Sequence, residues 1–127
     1  MKTKTAKSIL VIDDEELLTR TFTLLLERNG YQVYVAKNGQ DAQVMAEEEP
    51  FDLIISDIRM PGPDGVETVK AIRASAEGHR RSTPVIFITG YADEKTEQQA
   101  KQLQPVAYLF KPFDNAELLG LVQKCLT

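Results

Sequence analysis

The chain has 127 residues, one domain at roughly 100–200 residues per domain, and is long enough to bury a core of its own. Its 43% hydrophobic and 27% charged residues exclude a disordered chain, no apolar run reaches the ~18 residues that span a bilayer, and the basic start Met1-Lys2-Thr3-Lys4 meets Asp13-Asp14 too soon for a secretory signal. A net charge of −4 argues against a general nucleic-acid surface, and Cys125, the single cysteine, excludes an internal disulfide and a multi-cysteine metal site.

In chain order, Ser8 to Ile12 is a nearly all-apolar run, the pattern of a strand buried on both faces. Residues 14–29 follow with Leu18, Phe22, Leu25 and Leu26 at helical spacing, and Gly30 is placed to end that helix. Tyr31 to Ala36 is rich in Val and Tyr and predicts the second strand, and residues 38–48 a short helix with Ala42, Met45 and Ala46 on one face. Phe51 to Ser56 predicts the third strand. Pro61, Gly62 and Pro63 then force a shaped loop before a helix over about 64–76 that turns Val66, Val69 and Ile72 inward. Pro84 opens a fourth strand, Val85 to Ile88. Residues 93–103 predict a helix with only Thr96, Ala100 and Leu103 as its stripe. Val106 to Phe110 is the fifth strand, and residues 114–126 the last helix, capped by Asp114 or Asn115.

This is a (βα)5 order, which predicts an α/β fold: a parallel sheet with helices on both faces and right-handed crossovers. Function in such folds gathers at the carboxyl ends of the strands. There the sequence places Asp13-Asp14, Asp57, Thr89 and Lys111. Three carboxylates at close range repel, so without compensation at least one pKa rises. A hard divalent ion resolves the conflict, and Mg²⁺ favours a few carboxylates while keeping waters, with Mn²⁺ as an alternative ion. Lys111 adds a point charge and Thr89 a hydroxyl, a set suited to a phosphoryl group, with Asp57 as a nucleophile that needs no base.

Four segments, Val11-Ile12-Asp13-Asp14-Glu15, Asp57-Ile58-Arg59-Met60-Pro61-Gly62-Pro63-Asp64-Gly65, Pro84 to Gly90, and Tyr108-Leu109-Phe110-Lys111-Pro112-Phe113, stand in order, each at a strand end. Together they resemble the receiver domain of two-component response regulators, over residues 8–124 of a single domain spanning 1–127 with 1–7 as a flexible start. The resemblance implies a flavodoxin-like, doubly wound five-stranded sheet of order 2-1-3-4-5. It implies that Asp57 takes a phosphoryl group from a phosphohistidine on a sensor histidine kinase or histidine phosphotransfer domain, in the cytoplasm. Asp13, Asp14, Asp57 and the backbone carbonyl of Arg59 would hold Mg²⁺, and Lys111 would contact the phosphoryl group. Thr89 would move toward that group and Tyr108 rotate into the space it leaves. The Lys111–Pro112 bond would be cis. Arg59 and Tyr91, each two residues beyond an active position, would line the path of the hydrolytic water and set the phosphoryl lifetime.

Such a domain is a switch that catalyses only its own phosphorylation and dephosphorylation. Its expected output surface is the face of helix 93–103, strand 106–110 and helix 114–126, where Leu118, Leu119, Leu121, Val122, Cys125 and Leu126 exceed one buried stripe; neither nucleic acid nor membrane is an expected direct partner. The stretch Gln104-Pro105-Val106-Ala107 departs from the Gly-Ala and the acidic residue of many receivers, and so from the charged pairing by which some of them dimerise. His79 and Arg80-Arg81 read as solvated loop, and Cys125 as an apolar helix residue. Two alternatives remain. A metal-dependent aspartyl-phosphate phosphatase of the haloacid-dehalogenase type would carry Asp-x-Asp rather than the adjacent Asp13-Asp14, and a flavodoxin-type cofactor module would need donors where Asp13-Asp14-Glu15-Glu16 repel a phosphate.

Overall fold

The structure is a computed structural model that describes residues 6–75, 82–91 and 93–127. The readings of His79, Arg80 and Arg81, of the end of the third helix at 76, and of the flexible start through residue 5 lie outside the described residues.

Five strands and five helices alternate: β1 (Ser8–Ile12), α1 (Glu16–Arg28), β2 (Gln32–Ala36), α2 (Gly39–Glu48), β3 (Leu53–Asp57), α3 (Gly65–Ser75), β4 (Val85–Thr89), α4 (Glu94–Lys101), β5 (Ala107–Phe110) and α5 (Asn115–Leu126). All strand pairs are parallel and the sheet order is β2-β1-β3-β4-β5, the order expected from the resemblance.

The central strands β1, β3 and β4 are buried throughout, which is why they read as unbroken apolar runs. The sheet separates two cores. On one face Ala42, Val66, Val69, Ile72 and Ala100 of α2, α3 and α4 pack on Leu10, Ile12, Ile54 and Phe87. On the other, Phe22, Leu26, Leu118 and Val122 of α1 and α5 pack on Ile9, Val11, Ile55 and Ile88.

Polar punctuation sets the helix starts. Asn38 and Asp114 accept the Asp41 and Ala116 N–H groups, and Asp64 and Glu67 exchange two bonds across the start of α3. Gly30, at φ +92°, makes the left-handed exit from α1 that the sequence assigned to it.

Three expectations shift. Tyr31, Phe51 and Val106 lie outside the strands, because pairing begins one or two residues later; Asp52 instead turns its carboxylate to the Ser8 N–H at 2.8 Å. On α1, Thr19 is buried with Phe22 and Leu26, while Leu18 and Leu25 are half-buried. On α5, Leu119, Leu121, Cys125 and Leu126 are half-buried against the α1-side core, so the surplus of apolar residues there widens the core contact.

Candidate functional site

The site follows from topology. From β1 the chain crosses to β2 on one side, while β3 pairs with β1 on the other; loops therefore part at the carboxyl ends of β1 and β3 and leave a crevice. Ile12 pairs with Ser56, so Asp13 and Asp57 follow side by side. Asp57 pairs with Ile88 and Thr89 with Phe110, which brings Thr89 and Lys111 to the same edge.

Asp13, Asp14 and Asp57 each place a carboxylate oxygen within 4.8 Å of the others. Asp13 and Asp57 are buried, and Asp14 is exposed. The ammonium of Lys111 stands 3.3 Å from Asp57 Oδ2, 3.6 Å from Asp13 Oδ2 and 3.2 Å from Glu15 Oε1. Burial, more than the charges of Asp57 and Glu15, pushes the Asp13 carboxyl up to about 6 against the pull of the Glu15 N–H and Lys111. Burial also raises Asp57, opposed by Lys111 and by the N–H groups of Ile58 and Arg59. Desolvation works against the charge of Lys111, yet the surrounding carboxylates leave its pKa raised.

A divalent cation fits this donor set. Asp13 Oδ2 is enclosed and accepts no hydrogen bond from the protein, and it faces two further carboxylates. Hard oxygen donors in this number, one of them open to solvent, match an ion that keeps some of its waters.

Thr89 is buried, but its hydroxyl is occupied within its own loop: it accepts the Tyr91 N–H and donates to the Tyr91 carbonyl, both at 3.2 Å. Tyr108 lies edge-on to Phe110 at 5.4 Å, packed against the α3–α4 side of the core. Its hydroxyl is enclosed without a protein partner, and burial, with Glu97 and Asp93 nearby, raises its pKa. Arg59 and Tyr91 meet: the guanidinium carbon sits 3.8 Å from the centre of the Tyr91 ring. Beside them a cavity of about 280 Å³ is lined by Ile58, Arg59, Met60, Asp64 and Thr96. The Lys111–Pro112 bond is cis. Gly65 closes the loop after Asp57, where a Cβ would run into the Asp57 carbonyl, so only glycine allows that approach.

Residues 9–123 match the family model of the response regulator receiver domain. This chain belongs to that family. Among similar proteins is the regulatory protein AtoC of Escherichia coli, 36% identical over 118 residues that cover 93% of this chain and 25% of AtoC. The receiver spans between a quarter and about half of the curated regulators it matches first. Among solved structures, the chemotaxis response regulator CheY4 of Vibrio cholerae superposes with a TM-score of 0.86 at 32% identity, covering 96% of this chain and all of CheY4. The receiver domain of the sensor histidine kinase PA1611 of Pseudomonas aeruginosa, described with a magnesium ion in its active-site cleft, gives 0.82 at 30% identity, over 94% of this receiver and 96% of that one.

Family membership makes the role regulatory and lends no support to the phosphatase and flavodoxin alternatives. The contact that sequence reasoning missed is Glu15 with Lys111. Glu15 stood in the acidic run only as one more charge, and a pairing across 96 positions leaves no local signal.

Proposed function

We propose that the domain is a phosphorylation switch centred on Asp57. The observation that carries this reading is the Asp57 carboxylate, buried beside Asp13 and Asp14 with the Lys111 ammonium at 3.3 Å. An Asp57 oxygen attacks phosphorus, the bond from phosphorus to the donor nitrogen breaks, and the nitrogen leaves with the bonding pair. A phosphohistidine of a histidine kinase or phosphotransfer domain fits as donor. Lys111 meets the phosphoryl oxygens, and Thr89 reaches them by giving up its bonds to Tyr91. Asp13, Asp14, Asp57 and the Arg59 carbonyl would hold Mg²⁺ or Mn²⁺, which when bound offsets negative charge at the transferring group. The domain catalyses only its own phosphorylation and its loss, in the cytoplasm, as one receiver over 1–127.

The switch reading adds Tyr108, which fills the space Thr89 leaves. The surface proposed for a downstream protein joins α4, β5 and α5. Val106, just before β5, and Phe110 at its end are 43% and 44% exposed, apolar surface that supports a protein partner there. The stacked Arg59 and Tyr91 support a role in the phosphoryl lifetime.

Incubation with acetyl phosphate and Mg²⁺ should add one phosphoryl mass to the wild type and none to Asp57→Asn. Equal labelling of the variant would remove Asp57 from its role.

A further inference from the structure

Glu15 stands at the N-cap of α1 yet does not cap it. Its backbone does the work of a cap residue: the carbonyl accepts the Thr19 N–H at 3.1 Å, and the N–H donates to Asp13 Oδ1 at 2.9 Å. The side chain accepts nothing from the first turn of α1. Its Oε1 instead reaches the Lys111 ammonium at 3.2 Å, marginally closer than Asp57 at 3.3 Å. An ammonium has three N–H donors and no acceptor, and here three carboxylates surround one. Asp13 and Asp57 also belong to the cluster that fits a cation, whereas Glu15 lies outside it. Glu15 is therefore the carboxylate whose claim on Lys111 persists when the other two are engaged.

We propose that Glu15 is a positioning residue that holds Lys111 at the rim of the site and competes with phosphoryl oxygens for its ammonium, so that residue 15 weakens the phosphorylated state. This rests on the reading of Asp57 as phosphoacceptor. The Glu15 side chain is well exposed, at 60%, so the competition is modest. An exposed ion pair changes an equilibrium by about two- to fivefold. Glu16 supplies the control. It is the next residue of the same helix start, but its carboxylate faces Lys37, at 3.9 Å, and not Lys111.

The experiment is titration of the whole chain with beryllofluoride at saturating Mg²⁺, followed by calorimetry and by ¹⁹F resonances of the bound group. Glu15→Gln should bind about two- to fivefold more tightly than wild type, with a correspondingly longer phosphoryl lifetime after acetyl phosphate, and Glu16→Gln should stay within about 1.5-fold of wild type. Unchanged or weaker binding by Glu15→Gln overturns the proposal. So does an equal gain in Glu16→Gln, which would make the effect one of general charge. Absence of binding by folded wild-type protein would instead count against the phosphoacceptor reading itself. Thermal melts of each variant without ligand separate altered binding from altered folding.

Discussion

Gln104 holds φ +54°, a left-handed conformation that side chains other than Gly, Asn and Asp seldom adopt, at the turn where many receivers carry Gly-Ala before the fifth strand. A β-carbon at this φ strains the backbone, and glycine would not. Gln104→Gly should therefore raise stability by about 0.5–1 kcal/mol in urea titrations, after allowing for the extra freedom glycine gives the unfolded chain. Arg59 and Tyr91 permit a second test at this scale. Their stacking joins the loop after β3 to the loop after β4. If the pair shields the acyl phosphate from in-line water, the double variant Arg59→Ala/Tyr91→Ala should lose its phosphoryl group several-fold faster than wild type in a quench after acetyl phosphate is removed. An unchanged decay would leave the pair a packing contact only.

Among the helices, α4 buries the least. It has eight residues, and Ala100 is its one fully buried member. Its start depends on Asp93, which accepts the Lys95 N–H at 3.2 Å and the Thr96 hydroxyl at 2.7 Å; the Thr96 bond first of all holds the Asp93 carboxyl below its usual range. A helix with so few buried contacts opens locally at small cost. It also lies between the two groups proposed to move, Thr89 before it and Tyr108 after it. Beryllofluoride with Mg²⁺ should change amide exchange in the Thr89 loop, α4 and β5 more than in α1 and α2. Changes confined to residues 14–48 would contradict this route for the signal.

For the whole molecule, the acidic cluster links stability to pH. The folded Asp13 carboxyl titrates near 6, above its unfolded value of about 3.9. The native state thus binds this proton more readily than the unfolded chain, so stability is lost as pH rises through this interval and regained on acidification. Asp57, also raised, acts in the same direction. Without metal, the protein should melt a few degrees higher at pH 5 than at pH 7, a gain of order 1 kcal/mol. Millimolar Mg²⁺ should raise the midpoint at pH 7 and do so less at pH 5, because the ligands must be ionised to hold it. A wild-type midpoint indifferent to Mg²⁺ at pH 7 would argue against a formed metal site.

The chain itself determined the alternation of elements, the parallel sheet and the identity of the residues at the strand ends. These are local signals: unbroken apolar runs for β1, β3 and β4, the spacing of Val66, Val69 and Ile72 on α3, and Asp114 before α5. Repulsion among the carboxylates was legible too, although burial is the larger cause of the raised Asp13 and Asp57 pKa values. Tertiary structure alone decided that Glu15 reaches Lys111, that Arg59 stacks on Tyr91, that the surplus leucines of α5 serve the core, and that Val106 and Phe110 stay in solvent. Periodicity assigns a residue to a face of its own element. Which side chain of a distant element meets that face depends on strand register and helix packing, and these form only when the whole sheet closes.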